Sequence, residues 1–325
     1  MASYIERTRQ MEPKRPDLKP RGIANRRPGA ARRKIRQMKK RGASPLPEGI
    51  ALADLKIVPL DKAPTNWQMR DGTNLGLRPS SPLIDHQNKL LIYWSPKSAC
   101  TSVYVWFSAF AGFMEEVLRS GPHRHRTLIF NKSAFYAKGL ETDPDELFAV
   151  KVLRDPYARA VSIYRHALTT GFADDDIHTA YGGKLTREEG FSFQKFLDLV
   201  VKVGMTKSNP HYRPQTMRRD LIRKADCVIN ISKQDLFSEL NAAVASRGMP
   251  PVDLGKINWL HSLESRRKAR TQPVEGENLD FQPFDWSAAR GDKPFPTYEQ
   301  LLTASAKERI REIYGIDFET YGTYL

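Results

Sequence analysis

A lysine and several hydroxyl side chains lie together in one short stretch of the chain, Ser95–Ser102 (SPKSACTS). An apolar run, Lys89–Trp94 (KLLIYW), precedes this stretch, and apolar side chains at helical spacing follow it between Thr101 and Arg119. This pattern predicts a buried strand, a tight turn and a helix. Backbone N–H groups and the dipole at the start of such a helix favour negative charge, so the turn is a candidate phosphate site.

A second stretch places an arginine between a strand and a helix. Leu147–Leu153 (LFAVKVL) has the composition of a buried strand, and Arg154 follows it, ahead of a helical stretch from Tyr157 to Leu168. Ser162 lies eight residues after Arg154, just over two helical turns, and can share a face with the helix start. An arginine fork and a hydroxyl suit a phosphate dianion. The alternative is a salt bridge from Arg154 to its neighbour Asp155, with Ser162 facing solvent.

Two strand–turn–helix units about 60 residues apart predict an α/β fold in which helices flank a central parallel sheet. Asp226–Ile231 (DCVINI) adds a third strand. Residues 171–190 are polar and rich in glycine and predict a surface loop, while residues 264–297 predict irregular structure. Further helices are predicted at Phe191–Lys202, Lys233–Ser246 and Tyr298–Tyr314.

The charge of the chain is concentrated at its start. The 325 residues carry a net charge of +15, and residues 1–45 hold fifteen Lys or Arg residues against three acidic ones, a net charge of +12. Residues 1–45 are therefore predicted to be a basic, disordered tail, and residues 46–325 the folded domain. Contact of this tail with an anionic polymer, such as a nucleic acid, or with a membrane surface is the alternative.

Several function classes are disfavoured by what the chain lacks. Neither the nucleotide-kinase pattern G-x-x-x-x-G-K-[ST] nor the dinucleotide pattern G-x-G-x-x-G is present, and no metal-binding motif stands out, so no metal is expected. Two cysteines favour reduced thiols in a reducing compartment. No run of 18 apolar residues occurs, so no integral membrane segment is expected.

Both phosphate elements resemble those of one enzyme family. Ile92–Ser102 resembles the 5′-phosphosulfate loop of sulfotransferases that use 3′-phosphoadenosine 5′-phosphosulfate (PAPS), and its Pro-Lys-x-x-Cys-Thr form is most similar to the carbohydrate (Golgi-type) branch. Val150–Arg165 is similar to the family's 3′-phosphate element. Asn209–Gln215 resembles a family segment of the form His–aromatic–x–Pro–Gln, and Tyr314–Phe318 resembles its closing Tyr–x–x–Asp–Phe. The resemblance covers about residues 86–325, with little similarity across residues 171–190 and 270–297.

The resemblance implies a P-loop-like three-layer fold and transfer of a sulfuryl group from PAPS to a hydroxyl, with a carbohydrate as acceptor and PAP as product. Lys97 would contact the 5′-phosphate and the bridging oxygen, and a late basic loop (Arg266, Arg267, Lys268) would close over the 3′-phosphate. The lack of a membrane anchor, which animal members carry, indicates a soluble, cytoplasmic, bacterial enzyme. The implied cofactor-binding residues are Lys97, Ser98, Ala99, Cys100, Thr101, Ser102, Arg154, Ser162 and Arg267.

The acceptor hydroxyl needs a general base, and histidine is the usual choice at neutral pH. His123 and His125 lie in a basic cluster between the two phosphate elements, an interval in which some family members place a catalytic histidine. His211 lies in the matched His–aromatic segment. The sequence does not choose among the three. Glu115 and Glu116, on the helix after the first turn, are weaker candidates because a solvated helical face also explains them.

Two other functions remain open. A nucleotide-dependent phosphotransferase, such as a nucleotide kinase, predicts binding of ATP with magnesium, which the absent P-loop glycines disfavour. A nucleic-acid or other anionic-polymer binding protein that acts through the basic tail predicts binding that weakens steeply with salt. The second function leaves both phosphate elements unexplained.

Overall fold

The computed structural model describes residues 82–325, apart from residues 184, 187–188, 205–208, 218–219, 222, 254, 256–272 and 292. The predicted tail at residues 1–45 and the domain start near residue 46 lie outside the described residues. So do the three basic residues of the late loop, Arg266, Arg267 and Lys268.

One mixed sheet lies at the centre of the described fold. Its strands stand in the spatial order β1 (Leu83–Asp85), β2 (Leu90–Trp94), β3 (Phe148–Leu153) and β4 (Cys227–Asn230). β2, β3 and β4 are parallel, and β1 pairs antiparallel with β2. The three predicted strands are confirmed with slightly shorter bounds.

The predicted parallel sheet is present in β2, β3 and β4, and β1 makes the whole sheet mixed. Asp85 ends β1, and its carboxylate accepts hydrogen bonds from the backbone N–H groups of Gln87 (3.0 Å) and Asn88 (3.1 Å). Lys89 then adopts a left-handed φ of 51°. These contacts form a tight turn, and a turn this short can join only antiparallel strands.

Eleven α-helices surround the sheet within the described residues. They are α1 (Cys100–Phe110), α2 (Met114–Ser120), α3 (Pro122–Leu128), α4 (Ala134–Glu141), α5 (Pro156–Thr170), α6 (Asp174–Tyr181), α7 (Phe193–Val203), α8 (Leu236–Ala245), α9 (Trp286–Arg290), α10 (Tyr298–Leu301) and α11 (Ala304–Tyr321). None of the described helices is long and apolar enough to cross a membrane.

Three helix predictions differ from the structure. The helix predicted from Thr101 to Arg119 is divided into α1 and α2, because Gly112 adopts a φ of 82° between them. The helix predicted from Tyr298 is divided into α10 and α11, and Thr303 caps the second of these. The predicted loop at 171–190 contains α6, whose first turn holds three aspartates that the helix dipole stabilises.

Both faces of the sheet are covered. All five residues of β2 are buried, and because side chains alternate between faces along a strand, neither face meets solvent there. Trp106 and Phe107 of α1 pack in one apolar cluster with the strands, while Tyr164 of α5 packs in a second cluster with α7 and α11. The arrangement is α/β and compatible with three layers.

Candidate functional site

The turn after β2 has an unusual backbone. Lys97 and Ala99 adopt left-handed φ values of 73° and 57°, although neither is glycine. Left-handed backbone costs such residues about 1–2 kcal/mol each. The backbone N–H of Ser98 donates to the carbonyl of Ser95 at 3.1 Å and holds the turn closed. Strained backbone is concentrated at ligand sites, and consecutive N–H groups in such turns form concave anion sites.

The start of α1 leaves backbone donors available at the same turn. Ala99 occupies the N-cap position, and no side chain among the described residues caps the helix. The first helical hydrogen bond runs from the N–H of Val103 to the carbonyl of Ala99 at 3.0 Å, so the N–H groups of Cys100, Thr101 and Ser102 precede it. Uncapped N–H groups at a helix start attract anions.

Arg154 joins the second element to this turn. Since β2 and β3 are parallel neighbours, their carboxyl ends lie at the same edge of the sheet. The Nη1 group of Arg154 donates to the carbonyl of Lys97 (3.3 Å), and Nη2 donates to the hydroxyl of Tyr298 (3.1 Å). Asp155 accepts from the N–H of Ala158 (2.9 Å) and caps α5.

Arg159 is a site residue that the sequence analysis missed. It is fully buried, and its Nε donates to the carbonyl of Pro96 at 3.0 Å, directly behind the turn. Its Nη2 donates to the carbonyls of Arg213 (2.7 Å) and His211 (3.2 Å), and Nη1 has no hydrogen-bond partner among the described residues. The signal was available, because Arg159 stands at helical spacing with the buried Pro156 and Ile163, where an apolar residue is expected.

The two arginines have one effect in common. Arg159 binds the carbonyl of Pro96, and Arg154 binds the carbonyl of Lys97. Carbonyl oxygens that faced a bound anion would repel it. Because the two guanidinium groups hold these oxygens, the turn can present its N–H groups and the Lys97 ammonium together.

Gln215 connects the two elements through its side chain. Its Oε1 accepts from the Ser98 hydroxyl (2.8 Å) and from the N–H of Arg154 (3.0 Å), while Nε2 donates to the Arg154 carbonyl (2.7 Å). The N–H of Gln215 donates to the carboxylate of the buried Asp317 at 2.9 Å. The segments Asn209–Gln215 and Tyr314–Phe318, which resemble family segments, therefore help to hold the site together. The Ser98 hydroxyl, predicted to bind the cofactor, donates its hydrogen bond to Gln215 instead.

The other predicted cofactor residues lie on the same two elements. Cys100 is a free thiol, and Cys100, Thr101 and Ser102 are half-buried in the first turn of α1. Ser162 is half-buried on α5, whose first turn follows Arg154 and Asp155.

Two histidines lie near Lys97. Burial, reinforced by the positive charges of Lys97 and Arg159, lowers the pKa of His211 to about 4. His166 lies on α5, and its ring is 5.1 Å from the ring of His211, centroid to centroid. Burial and then Lys97 and His211 lower the pKa of His166 to about 3. His166 is absent from the predicted bases, because nothing in the spacing of α5 alone places it near Lys97.

The other base candidates lie in different surroundings. His125 is buried, and its Nδ1 lies 2.6 Å from the hydroxyl of Tyr104, within the apolar cluster of α1. Burial lowers its pKa, and Glu116 opposes this shift. His123 is exposed on α3, and Glu115 is exposed on α2 beside Arg119. Of the predicted bases, His211 is the one whose charge environment includes Lys97.

No protein-family model, curated protein or solved structure matches the chain. Within the described residues, no group of three or more His, Cys, Asp or Glu side chains could hold a metal ion.

Proposed function

We propose that the chain is a sulfotransferase that transfers a sulfuryl group from PAPS to a hydroxyl of a carbohydrate acceptor. The observation that carries the proposal is the hydrogen bond from Arg154 to the carbonyl of Lys97, which joins the two predicted phosphate elements into one site. The α/β fold would then be of the P-loop-like three-layer kind, and the sequence resemblance supplies the identity of the donor.

The residues at the site fit a donor with phosphate groups at both ends of its ribose. The strained turn and the uncapped start of α1 suit the 5′-phosphosulfate, with Lys97, Thr101 and Ser102 as its side-chain contacts. Arg154 and Ser162 would hold the 3′-phosphate, and Arg267 would close over it. The buried charge of Arg159 adds attraction for the anion from behind the turn.

PAPS supplies an already activated sulfuryl group, so positioning and charge stabilisation are the main tasks of the protein. In-line transfer of this kind resembles phosphoryl transfer, in which the protein stabilises charge on the leaving oxygen. Lys97 would perform this role with its ammonium group. The backbone N–H groups at the start of α1 would stabilise the same charge without moving, because the turn holds them in place.

A comparison of two nucleotides tests this function. We expect PAP to bind without magnesium and more tightly than adenosine 5′-monophosphate, which lacks only the 3′-phosphate. Arg154→Ala should weaken PAP about tenfold or more, because a charge-assisted hydrogen bond contributes about 1.5–3 kcal/mol. The monophosphate should weaken less, because it loses only the support that Arg154 gives to the carbonyl of Lys97. Arg119→Ala, which removes an exposed arginine on α2, is the control and should change neither affinity.

Transfer itself is measured with PAPS labelled in its sulfuryl group. Label should appear on a polysaccharide such as dextran or chondroitin only when the active protein is present. Preference for ATP with magnesium over PAP, with no transfer of sulfuryl label, would instead support the phosphotransferase alternative and exclude the proposed function.

A further inference from the structure

We propose that His211 is the general base of the transfer and that Asn209 is its positioning residue, which leaves Nε2 of His211 as the proton acceptor. The inference rests on the proposed sulfotransferase function and extends it. The juxtaposition that supports it is an asparagine–histidine pair that the buried Arg159 connects to the turn, because Arg159 donates to the carbonyls of both His211 and Pro96.

The tautomer of His211 follows from its contacts with Asn209. The backbone N–H of His211 donates to Oδ1 of Asn209 at 3.1 Å, and because a backbone N–H can only donate, this side-chain atom must be the oxygen. The same oxygen lies 2.7 Å from Nδ1 of His211. An amide oxygen can only accept, so Nδ1 carries the hydrogen, and the lone pair of the neutral ring is on Nε2.

The surroundings of His211 keep its ring in place. The ring stacks on Phe172 at 4.4 Å, centroid to centroid, and the backbone carbonyl of His211 accepts from Arg159. The charged or titratable groups that face it are Lys97, Arg159 and His166. The ring is therefore neutral at pH 7 and able to accept a proton, which a general base requires.

Bound donor would make His211 a stronger base. Lys97 and Arg159 disfavour a proton on the imidazole in the free protein. An anion placed against Lys97 offsets part of this repulsion, so the pKa of His211 should rise when the donor binds. His211 would thus be a stronger base when the donor is bound than when the site is empty.

The other candidates lack these features. His125 is buried in the apolar cluster with its Nδ1 engaged by Tyr104, and it is 3% exposed, so an acceptor cannot reach it without local unfolding. His123 is exposed on α3, and no described residue makes a hydrogen bond or ring contact that would orient its ring. Among the described residues, the Asn209–His211 pair combines orientation with proximity to Lys97.

The acceptor hydroxyl gives its proton to Nε2 of His211 while its oxygen forms a bond to the sulfur atom. The bond from sulfur to the bridging oxygen breaks, its electron pair stays on the 5′-phosphate of the PAP product, and Lys97 stabilises that charge. His211 then releases the proton to solvent. No oxidant, reductant or metal is required.

Proton NMR of the imidazoles tests the inference without knowledge of the acceptor. The His211 signal is assigned by its loss in His211→Gln. We expect it to titrate near pH 4 in the free protein and at least one pH unit higher with PAP bound. Asn209→Asp keeps the oxygen acceptor but adds a negative charge, and should raise the titration midpoint in the free protein. An unchanged midpoint on saturation with PAP would overturn the inference.

Kinetics provide the second test, with water and chondroitin as acceptors for labelled PAPS. His211→Gln should lower kcat by about 100-fold or more, as expected for loss of a general base, with PAP affinity nearly unchanged. Imidazole added to His211→Ala should restore part of the rate. Asn209→Ala should lower kcat. Asn209→Asp should stay active, but the acid limb of its pH–rate profile should lie at higher pH than in wild type, because the added charge raises the pKa of His211. His178→Gln, on the exposed face of α6, is the control.

The outcomes separate the inference from the proposed function. If folded wild type does not bind PAP, both are wrong. If it binds PAP and transfers sulfuryl label but His211→Gln retains the wild-type rate, the sulfotransferase function stands and the base is another group. If His123→Gln loses activity and His211→Gln retains it, the sulfotransferase function also stands, and His211 is not the base.

Discussion

Two buried cations lie under the sheet edge that carries the site, and they are compensated in different ways. Lys151 on β3 is fully buried, and its ammonium donates to Asp220 (3.2 Å) and to the carbonyl of Gln215 (2.8 Å). Arg159 on α5 is equally buried, but its hydrogen bonds go to three backbone carbonyls. Asp317 attracts Arg159 electrostatically, but the side-chain hydrogen bonds of Arg159 that the structure describes all go to carbonyls.

The charge of Lys151 is compensated inside the core, whereas the charge of Arg159 can act on the turn of Lys97. The carboxylate of Asp220 also accepts from Tyr93 and from the N–H of Met217. The ion pair of Lys151 and Asp220 therefore has its partners within the core. Carbonyl dipoles orient a guanidinium but leave its net charge in place. The positive field of Arg159 therefore remains directed at the turn of Lys97, where an anion can compensate it.

Removing the partner of Lys151 should give the largest loss of stability. Asp220→Asn leaves a buried ammonium without its carboxylate, and we expect unfolding free energy to fall by about 3–5 kcal/mol. Urea unfolding measures this loss. PAP affinity of the folded protein should change less than threefold, and a large loss of affinity at unchanged stability would break the distinction between the two cations.

Arg159→Met should affect both stability and binding. The change leaves the carbonyls of Pro96, His211 and Arg213 without their donor, at a cost of about 2–4 kcal/mol. PAP affinity should fall more than tenfold, because the turn loses both its support and the buried charge. Urea unfolding and calorimetry on the same sample measure the two effects, and unchanged PAP affinity would show that Arg159 is structural in the way Lys151 is.

The histidines near the turn predict how stability depends on pH. Burial and the charge of Lys97 lower the pKa values of His166 and His211 to about 3 and about 4, below the usual 6.5. The unfolded chain therefore binds more protons than the folded chain in this range, and stability present above pH 6.5 is lost as pH falls toward 4. His166→Asn should flatten this decline in Tm, whereas a decline as steep as that of wild type would contradict the assignment.

The smallest predicted effect tests the strained turn. Ala99→Gly removes the cost of a left-handed φ but adds backbone entropy to the unfolded chain, for a net gain of about 0.5–1 kcal/mol. Ala180→Gly, within the right-handed α6, should have the opposite sign and lose about 1 kcal/mol. Urea unfolding compares the two, and a loss of stability in Ala99→Gly would show that the turn is not strained.

Local patterns predicted the parts of the molecule that local physics determines. The strands β2, β3 and β4 are short apolar runs bounded by polar residues. The helix α5 begins with Asp155 as its capping residue, followed by Pro156. Long helices were predicted where Gly112 and the Leu302–Thr303 break divide them, since the apolar periodicity continues across both breaks.

Contacts between distant segments were beyond such patterns. Lys97, Arg154 and Thr101 could be selected because each lies next to a predicted strand or helix end. The roles of Arg159, His166 and Gln215 depend on contacts between segments that are far apart in the sequence. Examples are the 52 residues that separate Arg159 from His211 and the 117 that separate Ser98 from Gln215. A helix periodicity can show that Arg159 is misplaced on an apolar stripe, but it cannot show which carbonyls it binds.

The most direct test of the account is calorimetric titration of the purified protein with PAP, without magnesium, for wild type, Lys97→Ala and Lys89→Ala. Lys89 is the matched control, because it lies at the opposite end of β2 with the same left-handed backbone and is exposed. We expect saturable binding of PAP to wild type and to Lys89→Ala, and an affinity of Lys97→Ala for PAP that is lower than that of wild type by about tenfold or more. Equal affinity in all three proteins, or no binding by folded wild type, would contradict it.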